Sequence, residues 1–231
     1  MISTIEQTHD VRADFMVPPP CASMRQWDFN HLPLDKQLEA LGDDATPPSF
    51  SPAYFLNKWA TEAPDAPCLL VPNATATAYV TISYAQYDVA TNVVARYWAS
   101  KLNPSWLDVG RTRAMAALDA PVALLVKDFP TSHFLIISFN KLRVPVLLIS
   151  TRNSPSGVSH LVTTGKVSAI LVEDSLRSLL EPQVAHIPTY TVSPIIADEL
   201  LQAPPVPHVP HSYDVDGEHV AIIVHTSGTT G

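Results

Sequence analysis

Apolar residues along this chain recur at helical spacing in some segments and form short, strand-length runs in others. The first helical spacing begins at Ser51, which can act as an N-cap with Pro52 directly behind it, and it stops at Pro64. A second helical spacing begins after Ser83 and ends near Leu102. Between the two predicted helices lie two short β-prone runs, residues 68–71 and 79–82.

From residue 121 onward, short apolar runs alternate with helical stretches. Uninterrupted apolar runs are typical of strands that are covered on both faces. The predicted strands are 122–126, 144–149, 169–172, 187–192 and 220–224; the predicted helices are 131–142, one after Ser154-Pro155, a short one near Asp174-Ser175, and one from Pro194 to about Leu201. Because this alternation needs crossover connections, the sequence predicts an α/β fold with a mainly parallel sheet and helices on both faces.

Proline marks the segments that lie outside this pattern. Residues 1–50 mix polar residues with prolines and show no sustained period, so we expect an extended, partly disordered lead-in before a domain that occupies residues 51–231. Residues 202–211 contain four prolines, which excludes a helix or a central strand and predicts a stiff surface connection. The whole chain has 22 Pro but only 7 Gly, and two of those glycines, Gly228 and Gly231, fall in its last four residues.

Composition excludes several classes of protein. The 14 Lys and Arg against 22 Asp and Glu give a net charge of −8, which argues against a nucleic-acid binder. With 46% apolar residues the chain can bury a core, yet its apolar runs are far shorter than a membrane helix. The N-terminus lacks the features of a signal peptide, and the two cysteines form no CxxC motif. We therefore expect a cytoplasmic protein without a structural metal site.

The strand predicted at 220–224 runs directly into the sequence HTSGTTG. Gly228 and Gly231 can adopt positive φ and carry no Cβ, so a polyanion can approach the backbone N–H groups closely. The neighbouring hydroxyl groups belong to Thr226, Ser227, Thr229 and Thr230. Such a loop beyond the carboxyl end of a strand suits a polyphosphate, although an ordinary turn has the same composition. It lacks the lysine of the common nucleotide-binding loop.

TSGTTG after an apolar strand resembles the phosphate-binding signature of the AMP-forming adenylating enzymes, which include acyl-CoA synthetases, nonribosomal-peptide adenylation domains and luciferases. Upstream, residues 81–86 look like the strand-to-helix segment of that superfamily, and residues 122–172 look like its first βαβαβ run. The segment 150–154 together with His225 looks most like the fungal nonribosomal-peptide-synthetase-like adenylate-forming reductases. The resemblance covers about residues 50–231.

The resemblance implies an activity. Members of the superfamily use Mg-ATP to convert a carboxylic acid into an acyl-adenylate and pyrophosphate, and then pass the acyl group to a thiol. It places the ATP-phosphate contacts on Thr226, Ser227, Gly228, Thr229, Thr230 and Gly231. His225 could orient this loop or a ligand phosphate, or it could simply be a strand-end histidine bonded to backbone. ATP and Mg²⁺ are the implied cofactors, with CoA or a phosphopantetheine carrier required only in a full-length protein.

Departures from the superfamily pattern limit what this chain can do alone. The signature normally continues into Pro-Lys, whereas the chain ends at Gly231 and has no counterpart of the later motifs. We therefore expect an incomplete N-terminal part of the large domain, with no catalytic residue of its own, inactive in isolation, whose exposed sheet the missing C-terminal half would cover. The alternative is a truncated gene product that acts as a non-catalytic binding or regulatory module. A smaller departure is the segment Leu142-Arg143-Val144-Pro145, where relatives usually have a glycine before the second strand.

Two other groups of residues have a simple structural interpretation. His208 and His211 have the spacing of metal ligands on a helix, but the prolines around them exclude that helix, so a surface linker is expected. Glu173-Asp174 lies between a predicted strand and a predicted helix, and helix capping together with the helix dipole explains it without acid–base catalysis.

Overall fold

The computed structural model describes residues 52–73, 75, 77–111, 113–116, 119–195, 206–209 and 221–225. All of these residues lie within one unit of the chain, Thr46–Gly231. The predicted lead-in at 1–50 and the predicted phosphate loop at 226–231 fall outside the described residues, as do residues 196–201 of the last predicted helix.

The first elements are a helix, an antiparallel strand pair and a long helix, in the predicted order. They are α1 (Pro52–Glu62), β1 (Pro67–Pro72), β2 (Tyr79–Ser83) and α2 (Tyr84–Leu102). The long helix starts directly after β2 because Ser83 and Gln86 form a capping box. Ser83 Oγ accepts from the Gln86 N–H at 3.3 Å, and Gln86 Oε1 accepts from the Ser83 N–H at 2.9 Å.

Five strands form a parallel sheet, which confirms the predicted fold class. In chain order they are β3 (Val122–Leu125), β4 (Val146–Leu148), β5 (Ala169–Glu173), β6 (Thr189–Val192) and β7 (Ile222–Ile223). Their order across the sheet is β6-β5-β3-β4-β7. The remaining helices are α3 (Arg113–Ala116), α4 (Phe129–Lys141) and α5 (Pro155–Thr164), with 3-10 helices at Pro104–Leu107, Asp174–Leu179 and Pro182–Val184.

The central strand shows that both faces of the sheet are covered. Along β3, Val122 and Leu124 belong to the core cluster that contains side chains of α2 and α4. Ala123 and Leu125 belong to the cluster that contains side chains of α5. Alternate side chains of a strand point to opposite faces. All four residues are buried because helices cover both of those faces. The uninterrupted apolar run therefore has the physical cause expected from the sequence.

Two strands begin later than predicted because each is preceded by a proline. The Val144 N–H bonds to the last turn of α4 and Pro145 has no N–H, so β4 starts only at Val146. The Ile187 N–H closes the preceding 3-10 turn and Pro188 follows it, so β6 starts after them. The short helix predicted near Asp174 is a 3-10 helix.

Helices α4 and α5 both end in a Schellman motif with a charged residue in the left-handed region. Arg143 has φ 55° and Lys166 has φ 49°. The Arg143 N–H bonds to the Asn140 carbonyl at 3.0 Å, and the Lys166 N–H bonds to the Thr163 carbonyl at 3.2 Å. Since this conformation favours glycine, the backbone explains why a glycine would suit position 143.

Candidate functional site

The strand that precedes the TSGTTG sequence ends at the carboxyl edge of the sheet. β7 pairs in parallel with β4, with Val146 opposite Ile222 and Leu147 opposite Ile223. Because parallel strands end at the same edge, the chain leaves β7 beside the turn that connects β4 to α5. His225, two residues beyond β7, lies against that turn.

The His225 ring joins β7 to the β4–α5 turn through one nitrogen. Its Nε2 lies 3.2 Å from the Ser150 backbone nitrogen and 3.1 Å from Asn153 Nδ2. A backbone N–H can only donate, so Nε2 accepts both bonds and the ring is neutral with its hydrogen on Nδ1. The side chain is half-buried. His225 thus bonds to both a backbone group and a side chain of the turn.

The turn itself is organised by serine hydroxyl groups. Ser150 Oγ accepts from the Arg152 N–H at 3.3 Å, and Ser154 Oγ caps α5 by accepting from the Gly157 N–H at 3.2 Å. A Cβ at Gly157 would lie 3.3 Å from Ser154 Oγ, so this position suits glycine. The turn places the N-terminus of α5 beside the His225 ring.

Glu173 is a buried carboxylate at the same edge, at the end of β5. Its Oε1 accepts from the backbone N–H of Lys127 at 2.9 Å and from that of Asp128 at 2.7 Å. The predicted helix cap is confirmed only in position: Glu173 is the N-cap residue of the 3-10 helix that follows, but its side chain makes no cap bond there. The physical reason is that β5 lies beside β3, so the end of β5 faces the loop after β3. Asp174 does lie in the first turn of that 3-10 helix.

Asp128 and Thr131 connect the loop after β3 to the chain beyond β6. Asp128 Oδ2 caps α4 by accepting from the Thr131 N–H at 2.9 Å and from its hydroxyl at 2.6 Å. The same hydroxyl oxygen accepts from the Ile195 N–H at 2.7 Å, beyond the end of β6. Side chains of Glu173 and Thr131 therefore hold the loops after β3 and β6 in place by accepting from backbone N–H groups.

Tyr87 of α2 and His133 of α4 form a close polar contact between the two helices. Tyr87 Oη lies 2.5 Å from His133 Nδ1. Burial raises the pKa of Tyr87 and lowers the pKa of His133, so both side chains are neutral and the hydroxyl donates to Nδ1. Tyr87 is buried, and the hydrogen bond satisfies its polar end.

The structure changes the interpretation of the proline-rich connection. Of its residues, 206–209 are described, and they pack on α2 with Val209 buried in the main core. His208 contacts Asp88 and Asn92 of α2, whereas His211 lies outside the described residues. The predicted surface linker is therefore partly wrong, because its middle is anchored to the core. Among the described residues, no three His, Cys, Asp or Glu side chains form a group that could hold a metal ion.

An open groove of about 760 Å³ lies at another part of the surface. It is lined by Arg177 and by residues of the segment 180–189, which leads into β6. None of Ser150, Asn153 or His225 lines it, so it is separate from the contacts around β7. In the part of the chain that the structure describes, no helix has both the length and the apolar character needed to cross a bilayer.

Sequence comparison finds no matching protein-family model and no matching curated protein. Solved structures do match the fold. The o-succinylbenzoate coenzyme A synthetase of Bacillus subtilis in complex with AMP is 18% identical with a TM-score of 0.54, over 77% of this chain and 39% of that one. ATP-bound MatB of Rhodopseudomonas palustris is 17% identical with a TM-score of 0.54, over 78% of this chain and 33% of that one. The inhibitor-bound N-terminal domain of FACL13 of Mycobacterium tuberculosis is 19% identical with a TM-score of 0.55, over 78% of this chain and 42% of that one.

These matches establish the architecture of the described residues. It is the α/β fold of the N-terminal portion of adenylate-forming enzymes, with its parallel five-stranded sheet. The chain spans about two-fifths or less of the length of these three structures.

Proposed function

We propose that this chain is the N-terminal part of an ATP-dependent carboxylate-adenylating enzyme, in which residues 226–231 bind the ATP phosphates. One observation carries the proposal. The strand directly before TSGTTG ends at the carboxyl edge of a sheet with the fold of adenylate-forming enzymes, beside the capped N-terminus of α5. This edge is where open α/β sheets bind their ligands.

The chemistry of the reaction gives the loop its task. Attack of a carboxylate on the α-phosphorus breaks the bond to pyrophosphate, and negative charge accumulates on the leaving group. Backbone N–H groups near Gly228 and Gly231 and the hydroxyl groups between them supply donors for that charge. Donors fixed in advance stabilise the transition state more than they stabilise bound ATP. Mg²⁺ would share the phosphate charge.

In this proposal His225 orients the loop. Its ring bonds to Ser150 and Asn153, so the chain enters residue 226 from a point that the β4–α5 turn holds in place. A neutral ring with Nε2 as acceptor serves this role, because a protonated ring could not accept the Ser150 N–H. His225 is therefore a positioning residue, whereas the contacts to phosphate belong to residues 226–231.

The rest of the active site belongs to the remaining length of such an enzyme. In the complete protein we expect contacts to adenine, ribose and the carboxylic acid, and a thiol acceptor on CoA or on a phosphopantetheine carrier. Exposed Ile222 and Val224 support further chain beside β7, since they are 38% and 71% exposed. The segment 150–154 with His225 supports the reductase-like branch as the subfamily.

Titration of the chain with Mg-ATP and with Mg-pyrophosphate tests the phosphate site. We expect weak binding, seen as broadening of the ³¹P resonances, and its loss in Gly228→Val because the added side chain blocks close approach to the backbone. Gly110→Val is the matched control, since a Cβ at Gly110 meets nothing within 4 Å, and it should bind like the wild type. Equal binding by the wild type and Gly228→Val would contradict the proposal.

Carboxylate-dependent exchange of pyrophosphate into ATP tests the second half of the proposal. The 231-residue chain should show none. A polypeptide extended by the adjoining coding sequence should show exchange, and Gly228→Val should remove it. A folded chain without phosphate affinity, combined with a stop codon after Gly231, would instead favour a non-catalytic module.

A further inference from the structure

One side of α2 holds the proline-rich connection through three polar residues spaced four apart, Asp88, Asn92 and Arg96. Arg96 donates from Nε to the Pro207 carbonyl at 2.6 Å and from its terminal nitrogen to the His208 carbonyl at 2.9 Å. These bonds engage backbone groups, which an extended proline-rich chain leaves free because it has no internal hydrogen bonds.

The next residue of the connection is anchored more deeply. The Val209 N–H donates to Asn92 Oδ1 at 3.1 Å, and the Val209 side chain is buried in the main core. The Val209 amide therefore reports whether this segment is in place. Its hydrogen bond has to open before the proton can exchange with water.

His208 lies between these anchors and can make two different hydrogen bonds with the same nitrogen. Its Nδ1 is 3.2 Å from Asn92 Nδ2 and 3.4 Å from Asp88 Oδ2. An amide nitrogen only donates, so the neutral ring accepts from Asn92. A protonated ring carries a hydrogen on Nδ1 and donates to the Asp88 carboxylate. Both states fit the same position of the segment.

The charged side chains near the His208 ring come from α2 and α4. Asp88 is buried and faces the ring, while Lys141 of α4 holds the other carboxylate oxygen at 2.7 Å. The other nearby cation is Arg96 of α2, which donates to the backbone carbonyls of Pro207 and His208. Burial lowers the pKa of Lys141 to about 8, an effect that the charge of Asp88 opposes. Lys141 therefore stays charged below pH 7, the range in which histidine changes charge.

We propose that residues 207–209 form a latch on α2 that tightens when His208 gains a proton. This inference is independent of the proposed adenylating function. The protonated ring adds an ion pair with Asp88 to the Arg96 and Asn92 bonds, and so lowers the fraction of time that the segment is open. The connection leads on to β7, where Asn140 Nδ2 donates to the Ala221 carbonyl at 3.3 Å.

Hydrogen exchange of the Val209 amide tests the latch in the intact chain. After correction for the intrinsic effect of pH, protection of Val209 should rise about two- to fivefold between pH 7.5 and pH 5.5, the effect of an ion pair whose histidine is mostly exposed. His208→Gln should abolish the rise, because glutamine can hydrogen-bond but does not titrate. His186→Gln, at an exposed histidine before β6, should keep it. The Leu171 amide in β5 monitors global stability in each protein.

An equal rise in His208→Gln, or constant or falling protection in the wild type, would overturn the proposal. A second measurement needs no variant. The ¹⁵N resonances of the His208 ring should show Nδ1 as an acceptor at pH 7.5 and as a donor at pH 5.5. A neutral ring with its hydrogen already on Nδ1 would also overturn it.

Discussion

The layer between α2 and α4 and the carboxyl edge of the sheet both bury ionisable side chains, but they give them different partners. Between the helices, Lys141 is fully buried and pairs with the buried carboxylate of Asp88. At the carboxyl edge, the buried carboxylate of Glu173 accepts two backbone N–H groups, and His225 accepts another from Ser150.

The difference separates two uses of a buried polar group. A pair of opposite charges joins two rigid helices and requires both charges, because either one alone would be buried without compensation. A side chain that accepts backbone N–H groups holds a loop and requires an acceptor, whether charged or not. The first arrangement fixes the layer behind the sheet. The second holds the loops at the edge where a ligand would bind.

The largest expected effect comes from breaking the ion pair. Lys141→Met should lower the free energy of unfolding by about 3–5 kcal/mol, because it leaves the Asp88 carboxylate buried without its cation. Adding Asp88→Leu should recover most of that loss. Urea denaturation measures both, with Lys101→Met as a control at an exposed lysine of α2. A small effect of Lys141→Met alone would contradict the requirement for both charges.

The corresponding test at the carboxyl edge asks whether Glu173 stabilises the fold through its charge or through its ability to accept hydrogen bonds. Glu173→Ala should cost about 2–3 kcal/mol, since two backbone N–H groups lose a buried acceptor. Glu173→Gln should cost clearly less, because its amide oxygen can still accept. Denaturation of both variants beside Glu62→Ala, at an exposed residue of α1, measures the contrast. If Gln and Ala cost the same, the charge of Glu173 matters and the contrast between the two regions disappears.

A smaller effect follows from the pKa of Lys141, which burial lowers from 10.5 to about 8. Between these values the unfolded chain binds a proton that the folded chain does not, so stability rises with pH. Relative to the double variant Asp88→Leu/Lys141→Met, the free energy of unfolding should rise by about 1.4 kcal/mol from pH 7 to pH 9. Cys68, whose pKa burial raises to about 11, is present in both proteins and cancels. A flat difference would show that Lys141 keeps its usual pKa.

Local features of the fold could be predicted from the sequence because their causes are local. Ser83 with Gln86 forms the capping box, Ser154-Pro155 starts α5, and the apolar run from Val122 is a strand buried on both faces. The order of strands in the sheet could not be predicted, since it depends on which strands pair across long stretches of chain. Pro145 explains the late start of β4, and this start could have been predicted from the position of the proline in the sequence.

The missed contacts are nonlocal. Glu173 reads as a helix cap in sequence, and only the pairing of β5 with β3 brings it to the loop after β3. His208 lies 116 residues from Asn92, so the prolines correctly exclude a helix but give no partner. The sequence did carry one signal for this contact: Asp88, Asn92 and Arg96, spaced four residues apart, form a polar row on one side of α2. The phosphate contacts at 226–231 remain a prediction, and His225 is the member of the predicted site that the structure places.

The order of the strands in the sheet has a consequence for how the chain folds. Strands β3 to β6 come from one continuous stretch, residues 122–192, and form four adjacent strands by themselves. β7 joins β4 only after a further 29 residues have been made, and it contributes two residues to the sheet. During synthesis the four-stranded sheet can therefore assemble first, because domains fold as their contacts become available. β7, which directly precedes the TSGTTG sequence, then pairs with the edge strand β4 of a sheet that has already formed. The position of β4 therefore determines the register of β7.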